Sequence, residues 1–238
     1  MYTFNTRLRY SELDSNLKLP LVSLVNLFQD CSTFHSESIG KGIEYLYSHN
    51  KVWIICAWQI EIYDQPRLLE DISVNTWPYK FDSLFGYRNF TLTNSYGKVY
   101  AAANSIWNLL NTVSLRPEKI TSEDSDGYIL EKPYDMAYMP RKIKYNNINF
   151  EKTNPIPVVD AHLDSNKHVN NGQYLSIADG ILPKEFTYNR VRGEYKKSAL
   201  PGDIFYPQIQ IDNNIATVLL CDNNDKIYTT IQFDTINR

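Results

Sequence analysis

Asp164, Asn166 and His168 lie within one short stretch, DAHLDSNKHVNNGQYLSIAD at 160–179. In an extended segment their alternation would aim all three side chains the same way. Val169, Tyr174, Ile177, Ala178 and Ile181 follow at helical spacing, as in a helix that buries one face. The pattern is therefore a polar triplet delivered to a helix start. Unpaired backbone N–H groups at such a start suit a developing negative charge. An acid, an amide, an imidazole and a helix N-terminus are the components of a hydrolytic site.

The elements that would position them are legible around this stretch. Residues 2–10 alternate and read as a strand, and Pro20 suits a first helical turn. Leu21, Leu24, Val25, Phe28, Cys31 and His35 recur at helical spacing up to Gly40 and Gly42, which predicts a buried helix of about four turns. The run KVWIICAWQIEIYD at 51–64 reads as a long strand, followed by strands over 72–79, 85–94 and 99–110. Residues 116–159 carry Pro117, Pro133, Pro140, Pro155 and Pro157 and read as a partly ordered connection. The pattern then restarts: a strand over 145–150, a helix over 170–181, and strands over 188–198, 203–211, 216–222 and 226–235.

The two halves share residues as well as element order. LDSN occurs at Leu13–Asn16 and at Leu163–Asn166, each ahead of a helix. Tyr63 with Asp71-Ile72 has the spacing of Tyr195 with Asp203-Ile204, and Gly97-Lys98-Val99-Tyr100 resembles Asp225-Lys226-Ile227-Tyr228. A tandem duplication explains all three. It predicts an α+β fold in two units, 1–120 and 145–238, joined by a linker at 121–144. The first copy continues Leu17-Lys18 where the second has Lys167-His168, so only the second copy has the histidine.

Composition excludes several classes. The chain has 238 residues with a net charge of -3, which gives no general electrostatic case for nucleic acid. Cys31, Cys56 and Cys221 are odd in number and far apart, so a disulfide scaffold and a zinc site are not expected. The polar, alternating N-terminus reads as neither signal peptide nor anchor, and no apolar run reaches the roughly 18 residues of a membrane span. A soluble, cytoplasmic protein is expected. Eighteen tyrosines and ten phenylalanines suit a strand-rich core.

DSNKHVNNGQY at 164–174 resembles the signature D-x-N-x-H-V-N-N-x-x-Y of the plant and bacterial acyl–acyl-carrier-protein thioesterases. The match holds at Asp164, Asn166, His168, Val169, Asn170, Asn171 and Tyr174. RYSELDSN at 9–16, Gln29, His35, Gly40, Trp107 and Arg116-Pro117 follow the family's N-terminal pattern, and EYKKSALPGD at 194–203 follows a later block. The resemblance implies a tandem double hotdog, two curved antiparallel sheets each wrapped around a long helix. It implies hydrolysis of the thioester of fatty acyl-[acyl-carrier-protein] in fatty acid biosynthesis, with acyl carrier protein as partner and no cofactor or metal. Monomer and homodimer are both compatible with it. Asp164, Asn166 and His168 are then the catalytic candidates. The acyl chain would run between the first-half helix and sheet, past Leu24, Phe28 and the strand at 53–58.

Plant members carry a Glu and a Cys where this chain has Ser198 and Ala199, so a cysteine nucleophile there is excluded. Glu194, four residues earlier, would share the face of Ser198 on a regular strand and is the nearest substitute acid. The bland alternative for Asp164 is a turn or cap residue. His35 reads as a core histidine, and His49 and His162 as surface or structural ones. A basic docking patch could come from Arg190, Arg192, Lys196 and Lys197, or from Arg141, Lys142 and Lys144, although solvated strand faces explain both. Three other readings compete. An acyl-CoA thioesterase shares the chemistry. A non-catalytic acyl or carrier-protein binding module fits the absent Glu and Cys. A hotdog dehydratase would need D-x-N-P-x-H, and His168 falls one residue too early.

Overall fold

The computed structural model describes residues 1–146, 148–164 and 167–236. The chain divides into two compact units, Met1–Tyr138 and Met139–Arg238.

In the first unit, β1 (Tyr2–Arg7) leads to α1 (Leu21–Ser38) and α2 (Ile43–Ser48). The strands β2 (Lys51–Ile62), β3 (Asp71–Phe81), β4 (Phe85–Asn94) and β5 (Val99–Asn111) follow. The sheet order is β1-β3-β4-β5-β2, antiparallel throughout, and the short β6 (Arg116–Pro117) pairs with β5. Bulges between Ile55 and Ala57, and between Pro78 and Lys80, add an extra residue and bend their strands. One sheet face meets α1: Leu24, Val25, Phe28 and Cys31 are buried with Trp58, Val74, Phe90 and Leu92. These are the residues whose helical and strand periodicities gave the elements.

The opposite face of this sheet is polar yet largely covered. Trp77, Asn89, Asn104 and Gln59 form one row across β3, β4, β5 and β2. The chain after α3 (Ser122–Ser125) crosses that face and is hydrogen-bonded to it. Trp77 Nε1 donates to the Lys132 carbonyl at 2.9 Å, Asn89 Oδ1 accepts from Tyr134 N–H at 3.0 Å, and Gln59 Nε2 donates to the Ala137 carbonyl at 2.7 Å. The proline-rich connection is thus an ordered strap.

The second unit has β7 (Glu151–Lys152), β8 (Ile156–Pro157), α4 (Asn171–Asp179), β9 (Arg190–Tyr195), β10 (Ile204–Asp212), β11 (Ile215–Cys221) and β12 (Ile227–Asp234). Its sheet order is β9-β12-β11-β10-β7, antiparallel, with β8 also on β10. Leu175, Ala178, Val191, Val218, Ile231 and Phe233 are fully buried in its core.

Two sequence expectations are corrected here. The strand over 145–150 is absent among the described residues; pairing begins only at Glu151, after Asn149 turns left-handed at φ 61°. Helix α4 is 9 residues long against 18 in α1, and it stops at Asp179 rather than Ile181 because Gly180 and Pro183 follow.

The duplication is visible in hydrogen bonds. At the β4–β5 turn, Asn94 Oδ1 accepts from Tyr96 and Lys98 N–H at 3.0 Å each. At the β11–β12 turn, Asp222 Oδ1 accepts from Asn224 and Lys226 N–H at 2.9 and 3.0 Å. The residue before the lysine is left-handed in both, Gly97 at φ 81° and Asp225 at φ 58°. The partner of Asp203 in the first unit is Glu70, not Asp71. Glu70 accepts from the Tyr100 hydroxyl and Asp203 from the Tyr228 hydroxyl, and each carboxylate also accepts the N–H three residues before it. The Asp-Ile identity in the sequence is therefore one residue out of structural register.

Candidate active site

A bridge pairs Leu163 with Val169. Asp164 N–H donates to the His168 carbonyl at 2.8 Å, and Lys167 N–H to the Asp164 carbonyl at 3.0 Å. Asp164 Oδ1 accepts His168 N–H at 3.2 Å, and Lys167 is left-handed at φ 59°. Asp164 and His168 are thus joined by turn bonds rather than aligned on a strand: alternation aims side chains together only in extended chain, and here an aspartate caps a turn. Asp164 holds His168 by its backbone, and the imidazole itself is exposed. Asn166 lies outside the described residues.

The helix start is also differently used than its free N–H groups suggested. Asn170 is the N-cap, and its Oδ1 accepts Gly172 N–H at 2.7 Å. Gln173 N–H goes to the Asn170 carbonyl at 2.9 Å, Asn170 N–H to the His162 carbonyl at 2.8 Å, and Val169 N–H to the Ala199 carbonyl at 3.1 Å. These four donors are committed to the fold and are not available to an oxyanion.

The bond from Val169 places the loop at 198–200 beside His168. Ser198 is exposed there, and Ala199 is fully buried. Ala199 N–H donates to the Tyr174 hydroxyl at 2.7 Å. Burial pushes the Tyr174 phenol up to about 12, so it stays protonated. Leu200 N–H and the Tyr228 hydroxyl both donate to Asp203 Oδ2 at 3.0 Å, and Tyr195 OH donates to the Asn171 carbonyl at 2.9 Å. The sequence assigns no role in the site to Tyr174, Tyr195 or Tyr228; Tyr174 stands out only by its place in the motif, and Tyr195 and Tyr228 only by theirs in the internal repeat. Together they hold the turn, the helix start and the loop in one arrangement.

Glu194 is placed elsewhere. On β9, Gly193 and Tyr195 face α4: a Cβ on Gly193 would lie 3.2 Å from Leu175, and Tyr195 reaches Asn171. Arg192 and Glu194 therefore point to the other face, under the segment at 139–146. Arg192 Nη2 donates to the Pro140 carbonyl at 2.6 Å, and Glu194 Oε2 accepts Ile143 N–H at 3.0 Å. β9 also ends at Tyr195, so the regular-strand spacing from Glu194 to Ser198 does not exist. The structure joins the loop that carries Ser198 to Val169, the residue after His168, and places Glu194 on the other face of β9. The basic cluster divides in the same way. Arg190 is paired with Asp234 at 2.8 Å and Arg192 is buried, whereas Lys196 and Lys197 are exposed.

No group of three or more histidine, cysteine or acidic side chains is placed to hold a metal among the described residues. No helix among them is long and apolar enough to cross a membrane.

Two tandem sheet-and-helix units define a double hotdog fold. A family model for the acyl-ACP thioesterase N-terminal domain matches residues 1–128, and the chain belongs to that family. It is 25% identical over 198 residues to oleoyl-acyl carrier protein thioesterase 1, chloroplastic, of Arabidopsis thaliana. That alignment covers 74% of this chain and 53% of the relative, so the chain spans about half the length of that protein. The fold matches an acyl-ACP thioesterase from Bacteroides thetaiotaomicron with a TM-score of 0.88 at 24% identity, covering 98% of this chain and 96% of the other. It matches the 12:0-ACP thioesterase from Umbellularia californica with a TM-score of 0.82 at 16% identity, covering 98% and 96%.

Proposed function

We propose that the chain hydrolyses the thioester of fatty acyl-[acyl-carrier-protein] in fatty acid biosynthesis, with Asp164, Asn166 and His168 as the catalytic set. Family membership supports the reaction class. The observation that carries the site is the exposed His168 on a turn whose backbone is bonded to Asp164. In this reading residues 145–238 are the catalytic half, residues 1–120 the acyl-chain half and residues 121–144 the linker. The protein works in the cytoplasm as a monomer or homodimer, without a cofactor.

His168 takes a proton from water as the water attacks the thioester carbonyl, a task suited to an imidazole at neutral pH. Attack forms a C–O bond and puts the charge on the carbonyl oxygen. With the N–H groups of Val169, Asn170, Gly172 and Gln173 already bonded, the Asn166 amide is the donor to that oxygen. One well-aimed donor of this kind contributes about 3 kcal/mol. Collapse breaks the C–S bond, and the imidazolium returns its proton to the leaving thiolate. Asp164 fixes the backbone that carries the imidazole. Ser198 supplies a hydroxyl at the edge of the site where plant members carry the acid, and Lys196 and Lys197 offer cations to an acidic carrier.

Purified protein is assayed against acyl-carrier-protein and acyl-CoA thioesters of graded chain length, beside His168→Ala. Turnover that disappears in the variant supports the reading. Equal, negligible release by both proteins on every substrate overturns it in favour of a binding module.

A further inference from the structure

The two units hold the same loop by different means. In the first, Tyr63 and Asp64 N–H donate to the Tyr100 carbonyl at 2.7 and 3.1 Å, and Arg67 N–H donates to Glu70 at 2.8 Å. In the second, Lys196 and Lys197 N–H donate to the Tyr228 carbonyl at 2.8 and 3.2 Å, and Leu200 N–H donates to Asp203 at 3.0 Å. Gln65 therefore corresponds to Ser198, and Pro66 to Ala199. The helix caps Pro20 and Asn170 likewise match Leu24 with Tyr174. Leu24, Pro66, Tyr174 and Ala199 are all buried.

At these matched positions the chemistry changes in pairs. Ala199 N–H donates to the Tyr174 hydroxyl at 2.7 Å. Pro66 has no N–H and Leu24 has no acceptor, so the first unit lacks both halves of that bond. The tie between loop and turn changes with it. Leu19 N–H donates to Gln65 Oε1 at 3.0 Å, whereas Val169 N–H donates to the Ala199 main-chain carbonyl at 3.1 Å. The first unit thus spends the side chain of the residue matching Ser198 on the tie. The second unit makes the tie with backbone, held in turn by a phenol, and the Ser198 side chain is exposed. This rearrangement accompanies the replacement of Lys18 by His168 in the turn itself.

We propose that Tyr174 is a positioning residue for the hydrolytic reaction: through the Ala199 amide it fixes the 198–200 loop against the turn that carries His168. The inference rests on the second unit being the catalytic half. The rings around Tyr174 suit the task. It packs edge-on against Tyr195 with centroids 5.7 Å apart, and at a tilt against Phe205 at 5.6 Å, which aims the hydroxyl. Tyr174→Phe keeps those ring contacts and removes the bond alone.

Tyr174→Phe and Tyr174→Phe/Ala199→Pro are compared with wild type in thioester turnover, urea unfolding and amide exchange. Tyr174→Phe strands the buried Ala199 N–H and lowers the urea midpoint. The added proline, as at Pro66, removes that N–H and recovers the midpoint. In both variants kcat is expected to fall about ten- to a hundredfold, the scale of a small misplacement of reacting groups, with KM within about twofold. A residue needed only for folding would regain kcat along with stability. Exchange of Val169 N–H rises in Tyr174→Phe while that of Leu19 does not, a readout that needs neither turnover nor the proline. Wild-type kcat in Tyr174→Phe, kcat restored by the proline, or unmoved Val169 exchange each overturns the proposal. Wild type that releases no thiol defeats the hydrolysis reading, and Val169 exchange then decides the tie by itself.

Discussion

Lys18 occupies in the first unit the position that His168 occupies in the second. Asp14 N–H donates to the Lys18 carbonyl at 2.9 Å, as Asp164 N–H does to the His168 carbonyl at 2.8 Å. The residue before each is left-handed, Leu17 at φ 57° and Lys167 at φ 59°. The residue after each is buried, and the next one caps the helix, Pro20 on α1 and Asn170 on α4. The turn is therefore common scaffold, and the imidazole is the second unit's addition. His168→Ala is expected to lower kcat by about 10²–10⁴-fold, the usual worth of a general base. Because the side chain is exposed, the thermal midpoint should not move. His168→Lys, which copies the first turn into the second, should fold and be equally inactive, as steady-state kinetics and circular dichroism would check.

The same comparison separates two roles of Asp164. Asn94 and Asp222 make one turn geometry with an amide and with a carboxylate. Asp164→Asn should therefore keep the turn and remove the charge, so its loss of kcat measures what the charge does. Asp164→Ala should lose the turn bond as well, at about 1 kcal/mol of stability. Asp14→Ala should show a similar stability loss with unchanged turnover. If Asp164→Asn retains wild-type kcat, the aspartate acts on His168 only through the backbone.

How far the sequence could be read follows from which interactions are local. Helix α1 and strands β2 to β5 emerge within about two residues of their expected ends, because each is defined by its own periodicity. Alternation alone aims Asp164 and His168 together as in a strand, whereas the repeated LDSN and the turn-forming aspartate point to the local turn that forms. The fates of Arg192 and Glu194 were out of reach. Two charges on a strand look solvated until the segment at 139–146 is seen over them, and nothing near them in sequence encodes that contact. The commitment of the α4 N–H groups was partly legible, since Asn170 is a favoured cap residue. The bond from Val169 to Ala199 joins residues thirty apart and was not.

Glu194 is predicted to be a fastener of the strap rather than a base. Lys196 N–H bonds the Tyr228 carbonyl as Tyr63 N–H bonds Tyr100, so Arg192 corresponds to Gln59 and Glu194 to Glu61. Arg192 and Gln59 each donate to a strap carbonyl within their own unit, at 2.6 and 2.7 Å. Glu61 and Glu194 are both buried. Glu194→Gln keeps an acceptor for Ile143 N–H and should leave kcat and KM unchanged. Glu194→Ala strands that N–H and should cost about 1–3 kcal/mol in urea unfolding. A large kcat loss in Glu194→Gln with normal stability would restore it as a catalytic acid.

His35 makes stability depend on acidity. Its folded pKa is near 4, below the ordinary 6.5, because burial and Arg88 both disfavour its charged form. Below pH 6.5 the unfolded chain then binds a proton that the folded chain refuses. The stabilising contribution is fully present above pH 6.5 and declines as pH falls toward 4, where the folded state also takes the proton. Urea midpoints should fall over that interval in wild type. His35→Gln preserves an acceptor for Arg88 Nη1 and cannot be protonated, so its midpoints should fall less over the same interval. The difference between the two proteins isolates His35 from the carboxylates, such as Asp124 beside Lys51, that lose their own stabilising pairs at lower pH. If the two curves run parallel from pH 7 to 4, His35 is charged in the folded protein. The hydrogen bond from Arg88 would then have to be redrawn.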